Sequence, residues 1–215
     1  MKARGRFITL EGGEGAGKST HTARLAEWLR GQGISVVTTR EPGGSPRAEV
    51  LRELLLGGHV APFGAEAEAL VFAIARADHL AETIRPALRA GSWVICDRFF
   101  DSTWAYQGAA GVPPERLAEL DRIAVGDERP DLTLILDVTA EAGLKRIGKR
   151  SAGPDRFERD AQALHRARRE VFLAIAKREP QRCVVVDASA SKTEVAEAIR
   201  AAVAGRLNPA AAVGA

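Results

Sequence analysis

The 215-residue chain sets 31 Lys and Arg against 28 Asp and Glu, a net charge of +3, with a pI near 9.1. That length fits one α/β domain with a filled core; the small positive excess is weak ground for nucleic-acid binding and suits an enzyme of phosphorylated small molecules equally well. No stretch approaches the roughly 20 apolar residues of a membrane span, and the run Phe7–Leu10 is too short for a signal peptide. Cys96 and Cys183 make neither a metal spacing nor CxxC, and each reads as a small buried hydrophobe. The expectation is a soluble cytoplasmic protein with no membrane or nucleic-acid partner.

In chain order, the apolar run Phe7–Glu11 predicts a buried strand, and Ser19–Gln32 a helix ended by Gly31 and Gly33. Ile34–Thr39 is β-branched and predicts a strand; Pro46–Leu56 predicts a helix; Gly57–Gly64 predicts a loop. Ala65–Ala90 predicts a long helix, kinked or restarted near Pro86. Trp93–Cys96, Leu132–Val138 and Arg182–Asp187 predict further strands; Pro114–Val125, Ala140–Arg150, Ala161–Lys177 and Lys192–Leu207 predict further helices. Strands separated by helices require crossovers, hence a mostly parallel sheet with helices on both faces. Asn208–Ala215 predicts a disordered tail.

The segment Gly12-Gly13-Glu14-Gly15-Ala16-Gly17-Lys18-Ser19 fits GxxxxGK[ST] between a predicted strand and a predicted helix. Glycines let successive backbone N–H groups turn toward phosphate oxygens, and the helix start adds its positive dipole end. Lys18 then reaches the β- and γ-phosphates and Ser19 offers its hydroxyl to Mg²⁺. Such a loop implies a nucleoside triphosphate without choosing a reaction. At the end of the strand Trp93–Cys96, Asp97 has the placement of a carboxylate that helps hold Mg²⁺, and Arg98 could clamp a second phosphate. The alternative for this pair is a surface ion pair at a strand end.

Taken together, GluGlyGlyGluGlyAlaGlyLysSer (11–19), ThrArgGluProGlyGly (39–44), Phe72 with Arg76, AspArgPhePheAspSerThrTrpAlaTyrGlnGly (97–108), ProAspLeuThrLeuIleLeuAspVal (130–138) and AspArgPheGlu (155–158) give a chain that resembles bacterial thymidylate kinases over nearly its full length. The resemblance implies the nucleoside monophosphate kinase form of the P-loop NTPase fold, with a mobile lid, and phosphorylation of dTMP to dTDP with ATP and Mg²⁺ by a homodimer. It implies that Phe72 stacks on thymine and Arg76 donates to a base oxygen; the residues alone read as a core Phe and a surface Arg sharing a helix face. It also implies that Arg98 holds the acceptor phosphate, that Ser102 and Thr103 lie near the thymine edge, and that Gln107 is the polar neighbour of the aromatic Tyr106. By the same resemblance Tyr106 packs near the sugar and disfavours a 2′-hydroxyl, Arg40 and Pro42 face the acceptor, and Glu14 is expected near its 3′-hydroxyl. Pro42 alone reads equally as a turn residue. The plain reading of Glu14 is a solvated loop carboxylate. Asp187–Ser191 resembles the loop near adenine. Phe99-Phe100 stands where a tyrosine is common, and His165 where relatives often have an aromatic. His21, His59, His79 and His165 form no ligand spacing and read as non-catalytic.

Lys145–Arg156 is dense in cations and then loosened by Gly153 and Pro154. It reads as a solvated basic face or as a lid over ATP. Some thymidylate kinases carry an arginine in the P-loop; here that position is filled without one, so the lid must supply the catalytic cation. Arg150 is the first candidate, with Arg146 and Arg156 behind it and Lys149 where some relatives have arginine. The full expectation is one domain over 1–207 with a lid at about 145–157. Lys18, Arg98, Asp97 and Arg150 are expected in catalysis, Gly12–Thr20 and Arg146 around ATP, and Ser19 and Asp97 on Mg²⁺. A kinase for another deoxynucleoside monophosphate and a nucleotide-dependent switch ATPase are the competing readings.

Overall fold

A computed structural model of the chain describes residues 3–147, 157 and 160–209. The expected lid residues Lys149, Arg150 and Arg156, and most of the expected tail, lie outside the described residues.

The elements in order are β1 (Phe7–Glu11), α1 (Lys18–Gly31), β2 (Val36–Arg40), α2 (Pro46–Leu56), α3 (Ala65–His79), α4 (Arg85–Arg89) and β3 (Trp93–Asp97). After these come α5 (Phe100–Thr103), α6 (Pro114–Ala124), β4 (Leu132–Asp137), α7 (Ala140–Ile147), α8 (Gln162–Arg178), β5 (Cys183–Asp187) and α9 (Lys192–Leu207). The five strands form one sheet in the order β2-β3-β1-β4-β5, with every pairing parallel. Strands β1, β3 and β4 are almost wholly buried, which is why their sequences are continuous apolar runs rather than alternating ones. One apolar cluster joins Ile8, Leu10, Leu134 and Leu136 to Leu25 and Leu29 of α1 and Ile199 of α9. On the other face Phe7, Val94 and Cys96 meet Leu80, Ile84, Phe99 and Phe100. The two phenylalanines in place of the common tyrosine are therefore core packing, with Phe99 edge-on to Phe7.

Three departures from the expected elements have local causes. The second strand starts at Val36 rather than Ile34, because Ile34 N–H closes α1 onto the Leu29 carbonyl while Gly33, at φ 82°, bonds Arg30. The long helix over 65–90 contains a π-helical turn, Leu80–Ile84, just before the turn holding Pro86. Pro86 has no N–H to give the preceding turn, and the wider turn absorbs the loss. Residues 100–108, read from sequence without an element, form α5 and a π-helical turn over Trp104–Gly108.

Candidate active site

From β1 the chain crosses to the edge strand β2, returns to β3 beside β1, and later crosses to β4 on the other side of β1, so a crevice opens at the carboxyl ends of these strands. Three segments leave there: the glycine loop after β1, Arg40–Gly44 after β2, and Asp97–Gly108 after β3. Register places Leu10 beside Asp97 and Asp97 beside Arg40. A cavity of about 440 Å³ occupies the crevice.

The glycine loop is shaped by its backbone. Gly12, Gly15 and Gly17 have φ of 133°, 71° and 91°, conformations costly for residues with a Cβ. Gly15 also faces Gly143 of α7: a Cβ on Gly15 would meet the Gly143 carbonyl oxygen at 2.2 Å, and one on Gly143 would meet that of Glu14 at 2.3 Å. Helix α7 is therefore seated on the loop by two glycines. Arg146 lies on this side, not in the cavity, and donates to the carbonyls of Gly15 at 3.4 Å and Ala188 at 2.9 Å. The latter belongs to Asp187–Ser191, so Arg146 ties the expected adenine-side segment to the phosphate loop. Lys18 donates to the carbonyls of Gly12 and Gly13 at 3.1 and 2.8 Å. Burial, then the nearby Arg98, lowers its pKa.

Ser19 Oγ donates to Asp97 Oδ2 at 2.6 Å. This is the arrangement of one hydroxyl and one carboxylate that a Mg²⁺ ion sharing its other positions with phosphates and water accepts. Among the described residues no group of three or more His, Cys, Asp and Glu could hold a metal.

Arg98 sits next to Asp97 with φ 71°, a left-handed conformation rare outside glycine. Its N–H bonds the Leu10 carbonyl, and the next residue, Phe99, gives its N–H to Glu11 Oε1 at 2.6 Å. Ser102 donates to the other oxygen of Glu11. Glu11 thus clamps the turn from underneath. Burial, then Asp101, pushes its carboxyl up to about 8. The guanidinium of Arg98 reaches Glu14 at 2.6 Å, Tyr106 Oη at 2.8 Å, Ser102 Oγ at 3.1 Å and the Gly12 carbonyl at 3.2 Å. Burial would raise the pKa of Glu14, but Arg98 and Lys18 outweigh it and bring it to about 2. Tyr106, whose hydroxyl also donates to Glu14, has its pKa raised well above the usual value by burial. An anion entering this pocket would compete with Glu14 for a guanidinium already in place.

The far wall carries Phe72, Thr103, Tyr106, Gln107, Pro42 and Phe157. Arg76 is 2 % exposed and donates to Glu41 at 2.8 Å and Thr103 Oγ1 at 3.0 Å. Its Nη1 and the Oε1 of Gln107 have no hydrogen-bond partner among the described residues. Two buried polar atoms without partners on one wall suit a ligand that both accepts and donates, as a pyrimidine edge does.

The structure gathers Glu14, Gly15, Gly17–Thr20, Arg40, Pro42, Phe72, Arg76, Asp97, Arg98, Ser102, Thr103, Tyr106 and Gln107 around one cavity. Gly12, Gly13 and Ala16 do not line it; Gly12 and Gly13 meet it through the carbonyls that Lys18 and Arg98 contact. Sequence reasoning missed Glu11 and Glu41, and it left His79 without a partner. The three-residue spacing of Arg76 and His79, which puts both on one face of α3, was the available signal.

The parallel sheet, the glycine loop after its central strand and the neighbouring strand-end Asp97 define a P-loop NTPase fold with one cavity at the carboxyl ends of its strands. The chain belongs to the thymidylate kinase family, whose model matches residues 10–199. It is 55 % identical over 207 residues to a thymidylate kinase of Bradyrhizobium sp. (strain ORS 278), covering 95 % of this chain and 92 % of that one. A thymidylate kinase of Rhodopseudomonas palustris (strain BisB18) is 54 % identical over 208 residues, covering 95 % and 90 %. The crystal structure of thymidylate kinase from Ehrlichia chaffeensis superposes with a TM-score of 0.76 at 32 % identity, covering 93 % of this chain and 99 % of that one.

Proposed function

We propose that the chain phosphorylates dTMP to dTDP, taking the γ-phosphoryl group of ATP by direct in-line transfer. The carrying observation is that Lys18 and the side chain of Arg98 reach the same loop carbonyl, that of Gly12, so a donor phosphate and an acceptor phosphate would meet there. An acceptor phosphate oxygen forms the new bond to the γ-phosphorus as the bond to the β–γ bridging oxygen breaks, and ADP leaves. Lys18 and the loop amides stabilise the transferring group; Arg98 orients the acceptor phosphate. Phe72 and Arg76 hold the base, Thr103 and Gln107 its edge, and Ser102 steadies Arg98. Tyr106 packs beside the sugar, Glu14 takes the 3′-hydroxyl, and Arg40 and Pro42 close the side after β2. Ser19 and Asp97 would hold Mg²⁺, which when bound neutralises phosphate charge. Gly12–Thr20 and Arg146 form the ATP side; Arg150, outside the described residues, supplies the lid cation.

We read residues 1–207 as one domain, working as a homodimer. Supporting the dimer are exposed apolar side chains on helices that pack side by side: Val50 and Leu54 of α2, Leu70 and Ile74 of α3, and Ile123 of α6. A cytoplasmic location is supported by two unpaired, buried cysteines, as suits a reducing compartment. Among the described residues no helix is long and apolar enough to cross a membrane.

A coupled assay of ADP release across the nucleoside monophosphates, with a control lacking acceptor, tests the reaction. Release should depend on dTMP and far exceed that with dCMP, dAMP or dGMP. Equal release without acceptor would sink the reading and favour a switch ATPase; preference for another monophosphate would move the acceptor.

A further inference from the structure

Around Arg76, at the cavity wall, Glu41, His79 and Thr39 form a group of polar side chains to which the proposed transfer assigns no role. Glu41 Oε2 accepts from Arg76 Nε at 2.8 Å, and Glu41 Oε1 pairs with His79 Nδ1 at 3.0 Å. His79 Nε2 meets Thr39 Oγ1 at 2.7 Å. With Nδ1–H donating to Glu41 and Nε2 accepting the Thr39 hydroxyl, the imidazole uses both ring nitrogens. His79 is fully buried and Glu41 nearly so. Gly44 makes room for the group: a Cβ there would meet His79 Nε2 at 2.3 Å and Thr39 Oγ1 at 2.5 Å. The Glu41 N–H donates to the Asp97 carbonyl at 3.0 Å, which fixes the carboxylate to the strand end below the phosphates.

This arrangement does more than neutralise a buried arginine. Glu41 and Thr103 take Nε and Nη2 of Arg76, which sets the plane of the guanidinium. Nη1 is buried and is the nitrogen left without a partner among the described residues, on a side chain that lines the cavity. We propose that Glu41, held by His79, is a positioning residue for acceptor recognition: it fixes Arg76 so that Nη1 is presented to a carbonyl oxygen of the acceptor base. The inference rests on the reading of Arg76 as the base-facing arginine. It assigns no chemical step to Glu41 or His79. A donor already oriented costs the complex no ordering when the base arrives.

The test is Glu41→Gln, nearly isosteric but uncharged, with dTMP and ATP varied separately. The expected result is a rise of roughly tenfold or more in the KM for dTMP, with kcat and the KM for ATP within about twofold. His79→Asn keeps a donor toward Glu41 while losing Thr39, and should raise the same KM by a smaller factor. Arg76→Met is measured alongside, and the double variant Glu41→Gln/Arg76→Met should show the dTMP KM of Arg76→Met alone, because Glu41 acts through Arg76. If Arg76→Met raises that KM while Glu41→Gln leaves it unchanged, the positioning role is overturned and the acceptor reading stands. If Arg76→Met itself changes nothing, the base-facing role of Arg76 fails. A Glu41→Gln variant that loses kcat and ATP affinity equally marks a structural role only. Should that variant not fold, the split read on His79→Asn decides, and an unchanged dTMP KM there overturns the proposal.

Discussion

The two halves of the crevice are built from different material. The half proposed for the donor is backbone: glycines at positive φ, carbonyls held by Lys18, and helix α7 seated on the loop through Gly15 and Gly143. The half proposed for the acceptor is side chains, with Arg98, Glu14 and Tyr106 bonded to one another and Arg76 bonded to Glu41 before any ligand arrives. Backbone recognition needs a contiguous motif and tolerates few insertions. Side-chain recognition can be assembled from distant segments and tuned residue by residue. Substitutions in the first half should therefore act through geometry, and those in the second through charge.

The exception within the donor half is Lys18, and its removal should give the largest effect. Lys18→Ala is expected to lower kcat by on the order of 10²–10³-fold in a steady-state assay, with the fold intact by circular dichroism. Retained turnover would break the comparison by making the loop a mere binding surface. Next in size is Gly143→Ala. The added methyl collides with the Glu14 carbonyl oxygen, so α7 or the loop must shift. The expected outcome is a loss of roughly 1–3 kcal/mol in urea unfolding and a raised KM for ATP, with the KM for dTMP little changed. A larger effect on dTMP would show that the halves are not separable. The smallest effect on turnover is expected at Glu11, on the seam between them. Its folded pKa, about 8, lies above its ordinary value of 4.5. The folded chain therefore keeps a proton that the unfolded chain has lost, and stability falls as pH rises from about 4.5 to about 8. Glu11→Gln should flatten that part of a Tm-against-pH curve; an unaltered slope would remove Glu11 as its source.

The same contrast explains what was legible in the sequence. The donor loop could be read from eight consecutive residues because the chemistry needs glycine, lysine and serine at fixed spacing. Strands β1, β3 and β4 could be read because burial on both faces leaves uninterrupted apolar runs. The acceptor wall could not be read from residue patterns: Phe72 and Arg76 on α3 look like ordinary helix residues, and the family resemblance alone singled them out. Glu41 escaped notice because its importance comes from α3, 35 residues away, closing over it. Residues 100–108 showed no helical period because no side chain there is exposed, so no solvent-facing polar side remains to mark the turn. The shift of β2 to Val36 was hidden in the cap after Gly33, where a β-branched Ile34 serves the helix end instead of the strand.

The buried thiols have a practical consequence. Cys96 lies in the core with its Sγ donating to the Arg98 carbonyl, and burial pushes its pKa well above the ordinary range; burial pushes Cys183 up to about 12. Neither offers a thiolate near neutral pH, and these are the chain's two cysteines. A maleimide fluorophore would thus report from a single engineered position without first stripping the native sulfur. Placed by Ile74→Cys on the exposed apolar face of α3, it would turn the proposed subunit pairing into an optical signal.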